Sequence, residues 1–266
     1  MAGNVKNKIL NTPIVERKTF SKHFLRAVYS EIGFAGTGAN TILTNEESLK
    51  AFFRSQGFDA SKRIMQREIL MKNPEENKPA RIAQKETPLG LIFSNSKSKI
   101  DVQVLDTKIV ISDFNYEGFD SFNERFKMVC EGVSQFVPRT EVRKVGLRKI
   151  DSIVIEPVKS YQDACSIFNP ALFAIIRSGL IEEGTLKAHQ EELFIEKQGI
   201  RCILRARMTQ ISEVAYESSL DFDFVDMETA SLDQVFTNKL PELNNRHFEI
   251  FMWAASDELI KLMESK

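Results

Sequence analysis

Paired cysteines are missing from this sequence, and so are most of the patterns that announce a chemistry. Cys130, Cys165 and Cys202 are widely spaced and no CxxC occurs. That excludes a zinc site built on cysteine pairs; an odd count without a disulfide framework fits a reducing cytoplasm. No apolar run approaches the roughly 18 residues of a membrane span. The opening MAGNVKNKIL has lysines but no apolar stretch of the kind a secretory signal needs. Charge of one sign is not in excess: the formal net charge is −1, so no global field favours nucleic acid or membrane. Tyr and Trp are scarce, four and one against twenty Phe, a choice that suits a core better than a wet recognition surface. Neither GxSxG nor a Cys-His context exists, and His23, His189 and His247 are scattered over three elements. No motif names an activity, and no cofactor is expected.

What is present is a large stock of β-strand. The 266 residues are 42% hydrophobic, enough for a sizeable core. Val142–Glu156, VRKVGLRKIDSIVIE, is the central strand, closed by Pro138 before it and Pro157 after it. Its odd positions carry Val145, Leu147, Ile153 and Ile155, but Lys149 and Asp151 interrupt them, and Gly146 predicts a bulge where the phase slips. Upstream, Thr12 to Phe34 reads as mostly extended. Gly33, Gly36 and Gly38 read as a turn, since no Lys-Ser/Thr follows as in a phosphate loop.

A helix is predicted from Glu46, capped by Thr44 or Asn45 and ended by Gly57. Ile64, Met65, Ile69 and Leu70 lie on a short helical or extended piece. KNPEENKPAR, residues 72–81, is the loop expected to be cut first by proteases. Leu89–Ser94, Ile100–Leu105 and Lys108–Phe114 form a meander, followed by a helix whose Phe119, Phe122, Phe126, Val129, Val133 and Phe136 make a core stripe. Helical structure interrupted at Asn169-Pro170 comes next, then strands over Leu186–Lys197, Ile200–Met208 and Tyr216–Val225. Ser231 and Gln234 make a capping box for a terminal helix that Pro241 breaks or restarts, with Phe248, Phe251, Ala255, Leu259 and Leu262 on its apolar side.

Strands followed by a helix thus occur twice. The expected fold is α+β: two related halves, 1–157 and 158–266, each an antiparallel meander with a packed helix, forming one compact unit.

Val145-Gly-Leu-Arg-Lys-Ile-Asp resembles the VGLRYIN-type centre of a sporadically distributed, functionally uncharacterised bacterial protein family about as long as this chain. The PIVE start at Pro13–Glu16 and the LDFD strand leading to a long C-terminal helix resemble it too. The resemblance implies a stand-alone α+β protein of bacteria, their phages or archaea, and transfers no functional residue.

Two constellations could carry chemistry. Asp221 and Asp223, with Asp226 nearby, project from one strand face and suit Mg²⁺; the competing reading is that Phe222 and Phe224 face the core while the aspartates face water. Arg148, Arg201, Arg205 and Arg207, joined by Arg139, Arg143, Lys144 and Lys149, could line a groove for an acidic ligand. Glu191-Glu192 and Asp221-Asp223 could equally pair with them across strands, which is the expected outcome. The favoured function is therefore a non-enzymatic protein-binding or assembly module, possible in phage–host conflict, cytoplasmic and self-associating as a dimer or bound to a protein partner, without a membrane. The alternative is an enzyme or sensor that binds a nucleotide or oligonucleotide through the arginine and aspartate face.

Overall fold

The computed structural model describes residues 12, 20, 22–36, 40–72, 81–138, 141–182, 185–197 and 199–264. Nine strands form one antiparallel sheet: β1 Leu25–Phe34, β2 Ala60–Lys72, β3 Arg81–Asn95, β4 Ile100–Leu105, β5 Lys108–Asp113, β6 Val142–Ile155, β7 Ala188–Lys197, β8 Ile200–Ser212 and β9 Ala215–Asp226. Their order across the sheet is β2-β3-β4-β5-β1-β6-β9-β8-β7. The mixed helix-and-strand class is as expected. The strands of residues 1–157 and 158–266, however, join edge to edge through β6 and β9 in a single sheet.

Side-chain alternation decides which face is which. On β4 to β6, β8 and β9, one row of every strand is apolar and buried: Val102 and Val104, Ile109 and Ile111, Val145 and Leu147, Cys202 and Leu204, Phe222 and Phe224. Helices cover that face. They are α1 Asn40–Thr44, α2 Glu46–Ser55, α3 Phe119–Phe136, α4 Tyr161–Cys165, α5 Ala174–Arg177, α6 Leu232–Gln234, α7 Leu240–Ala254 and α8 Asp257–Glu264. The α3 stripe is buried as its spacing demands, with Phe122 and Phe126 at 1% and 0% exposure. The Ser231–Gln234 capping box forms, and a π-helical stretch, Val235–Lys239, leads into α7 with Pro241 in its first turn. Leu262 faces solvent: the helix stops at Ala254, and α8 starts a new phase.

Of the two readings of Ile64 to Leu70 the extended one holds, since the segment belongs to β2, a long strand paired with β3 as far as Lys72 and Arg81. Two other expectations need correction. Asn45 makes no side-chain cap on α2. The bulge expected at Gly146 is absent, because β6 pairs with β9 from Val145 to Ile155 without a shift. The shift in β6 lies earlier, between Val142 and Lys144 in its pairing with β1, and Lys149 and Asp151 occupy the helix-covered face among the apolar residues. Residues 13–16 of the PIVE start, Gly38, Arg139 and the loop at 73–80 lie outside the described residues.

Where α2 crosses α3, Gly132 is required. A Cβ there would lie 2.0 Å from Cζ of Phe52, a ring already packed on Phe53 and Phe136. Alanine improves helix propensity by about 1 kcal/mol, but overpacking costs about 1–3 kcal/mol. Gly132→Ala is therefore expected to lower stability in urea unfolding despite the better propensity.

Candidate functional site

The two faces of the sheet carry two different arrangements. On the face without helices, Arg148 donates to both carboxylate oxygens of Asp221, at 2.8 and 2.7 Å, and lies over the Tyr29 ring. Arg205 donates to the same Asp221 at 3.2 Å and to Glu192 of its other neighbour strand. Asp221 holds the Arg148 guanidinium above its ordinary range, while burial is the main force raising the Asp223 carboxyl. Arg201 pairs with Glu196, Lys144 with Glu31 and Arg143 with Glu141; Arg207 donates to Thr209. The structure thus brings Arg148, Arg205 and Asp221 together as a cross-strand ladder. Arg201 and Arg207 lie outside it. Phe222 and Phe224 face the core, and Asp226 is buried on that side against Lys239. Among the described residues no group of three His, Cys, Asp or Glu side chains could hold a metal ion.

The helix-covered face holds the second arrangement, a cavity of about 230 Å³ between β6, β9 and α7. Phe20, His23 and Leu25 before and at the start of β1, Tyr116 to Phe119 at the start of α3, and Met263 of α8 complete its wall. Its body is aromatic, with Phe222, Phe248 and Phe251 among the lining side chains. Besides the exposed His23 and Glu117, four polar residues of β6 and α7 are set into that wall.

Lys149 and Asp151 come from β6, two apart and so on one face; Asn244 and His247 come from α7, three apart and so on one side of the helix. Lys149 donates to the Asn244 side-chain oxygen at 2.6 Å, and its ammonium lies 5.2 Å from the centre of the Tyr116 ring. His247 Nε2 lies 2.7 Å from the Leu147 carbonyl, which makes Nε2 the protonated nitrogen and leaves Nδ1 a bare acceptor. The imidazole meets the Phe224 ring edge-on at 4.8 Å between centroids.

Burial sets the protonation of the group. It pushes the Asp151 carboxyl up to about 7, with only the Lys149 charge pulling it down. The same burial, aided by Lys149, takes His247 down to about 3, so the ring is neutral. Two buried atoms in this cluster have no hydrogen-bond partner among the described residues, His247 Nδ1 and Asn244 Nδ2. An acceptor and a donor stand unsatisfied one helical turn apart. The thiols of Cys165 and Cys202 are each pushed up to about 12 by burial and are inert packing groups.

Of the basic set, then, Lys149 parts company with the arginines and belongs to the cavity. Asp151 and Asn244 were not singled out as site residues by the sequence. Their one signal was polarity at positions where the strand and helix periods call for apolar side chains. Compared with known proteins, the chain matches no protein-family model and no curated protein.

Proposed function

We propose that the chain is a non-enzymatic binding module whose cavity takes a planar heteroaromatic molecule of one or two rings. The observation that carries this reading is a largely aromatic cavity whose lining includes Asn244 and His247, the residues that hold the unsatisfied buried atoms Nδ2 and Nδ1. Leaving a buried polar atom unpaired costs about 1–3 kcal/mol, so two together on one cavity call for a ligand that supplies an acceptor and a donor. Size sets the ring count: an apolar cavity of about 150 Å³ takes benzene, and this one is about 230 Å³. Aromatic walls suit a flat π-system. Among the described residues no Ser, Thr or Cys lines the cavity to act as a nucleophile, which supports binding over group transfer.

Thermal-shift and calorimetric titration with adenine, guanine, indole and quinoline tests it. A fitting ring is expected to raise the melting temperature, with ligand at about a hundred times Kd contributing roughly 2.7 kcal/mol. Asn244→Asp keeps an oxygen for Lys149 but removes the Nδ2 donor, and is expected to weaken binding at least tenfold. A parent protein that responds to none of these rings, or an Asn244→Asp variant that binds as well as the parent, sinks the proposal.

The resemblance to a sporadically distributed family favours an accessory role in bacteria or phages, for which neighbouring genes are the test. Three buried free cysteines fit a reducing cytoplasm. A common origin of the two halves is supported by their connectivity, since each half's first strand pairs with its last: β1 with β5 and β6 with β9. The division that fits this echo falls between α3 and β6, not after residue 157.

A further inference from the structure

Among the described residues both edges of the sheet end in an unshared strand, and they are unlike. β2 guards its edge with charge: Lys62, Arg63, Arg67 and Glu68 are all exposed. β7 carries Leu193 at 53% and Phe194 at 62% exposure in the middle of its length, and its only lysine is its last residue. Charge, proline and bulges are the usual protection of an edge strand; β7 has neither proline nor a bulge in its interior, and two of its three carboxylates there, Glu192 and Glu196, are already paired with Arg205 and Arg201.

The direction of its free hydrogen-bonding groups is set by its partner. The Gln210 N–H donates to the Lys187 carbonyl at 3.0 Å, and the register of β7 on β8 continues from that pair. Odd-numbered residues of β7 therefore exchange hydrogen bonds with β8. Ala188, Gln190, Glu192, Phe194 and Glu196 direct N–H and C=O outward.

We infer that β7 pairs antiparallel with β7 of a second copy of this chain, about a two-fold axis at Leu193. The register follows from charge. Outward-facing residues must meet one another, so the axis can move only in steps that keep even residues opposite even ones. One step sets Glu192 against Glu192; the opposite step sets Glu192 against Glu196. The register between them opposes Leu193 to Leu193, Glu192 to Phe194, Gln190 to Glu196 and Glu191 to Ile195, with no carboxylate facing another. Glu192 and Glu196 are already neutralised by Arg205 and Arg201 on their own chain. The paired strands cover both exposed apolar side chains and unite two sheets into one. This is a separate observation from the cavity, and neither depends on the other.

Sedimentation velocity on the full chain over the micromolar range is expected to give a dimer. Phe194→Pro removes one outward N–H and no β7–β8 bond, and should weaken association at least tenfold with an unchanged far-ultraviolet spectrum. Leu193 meets its own copy in a non-hydrogen-bonded pair, where side chains come closest, so Leu193→Cys should give a disulfide-linked dimer on mild oxidation. Phe194→Cys should not, since it faces Glu192. The three native cysteines are buried and give little background. A parent monomer at every concentration, or a Phe194→Pro dimer as tight as the parent, overturns the inference. So does cross-linking through Phe194→Cys that equals that through Leu193→Cys. Should Phe194→Pro fail to fold, the cysteine pair decides the matter alone.

Discussion

Asp151→Asn is expected to tilt the stability profile by roughly 4 kcal/mol relative to the parent between about pH 4 and pH 7. The folded carboxyl sits at about 7 against an ordinary 3.8. Below 3.8 it is protonated in both folded and unfolded chains, and its contribution to stability is fully present. From there to about 7 only the folded state holds the proton, so rising pH favours unfolding at roughly 1.4 kcal/mol per pH unit. Asparagine cannot titrate, and this loss disappears. His247 acts with the opposite sign. Its folded value of about 3 lies below the ordinary 6.5, so its contribution is complete above 6.5 and is lost as pH falls towards 3. In the parent these two slopes oppose each other over most of the window. Asp151→Asn leaves the histidine slope alone, and His247→Gln should leave the carboxyl slope alone. Urea unfolding from pH 4 to pH 7 reads both; curves parallel to the parent would refute the assignment.

Phe126→Ala is expected to cost about 3–5 kcal/mol. The ring is fully buried and lies between Phe122, with centroids 6.3 Å apart, and the edge-on ring of Phe236 at 5.7 Å. Phe236 belongs to the π-helical stretch before α7. Truncation therefore opens a hole between two helices that the sheet holds apart, and such a hole cannot easily collapse. The midpoint of urea unfolding measures the loss. A change below about half a kcal/mol would mean that the helices close over the gap.

The strands were legible because their period is short and complete within each segment. Ile100–Leu105 coincides with β4, and LDFDF alternates as its two phenylalanines and two aspartates require. The ion-pair ladder was legible for the same reason: residues of one parity on neighbouring strands share a face. The cavity was not. Lys149 and Asp151 look like a broken alternation when β6 is read alone, and a glycine nearby offers an easy explanation. Only the unbroken register on β9 places them beneath α7. His247 by itself reads as a packed histidine, which it is. Its meaning comes from Asn244 beside it and from Lys149 across the gap, a contact between residues 95 positions apart that no local pattern encodes.

The sheet order has a consequence for the order in which the chain must assemble. β1 finds its partners only when β5 and then β6 have been made, and β6 waits again for β9. During synthesis the central strand therefore emerges with one side offered to β1 and the other side bare, while all of α4 to β8 is still being added. A ribosome-bound chain that ends before Ala215 holds an open edge through the middle of what will be its sheet. The nascent protein is then most exposed to wrong pairing late in its synthesis, and completing β9 both seals the core and removes the hazard.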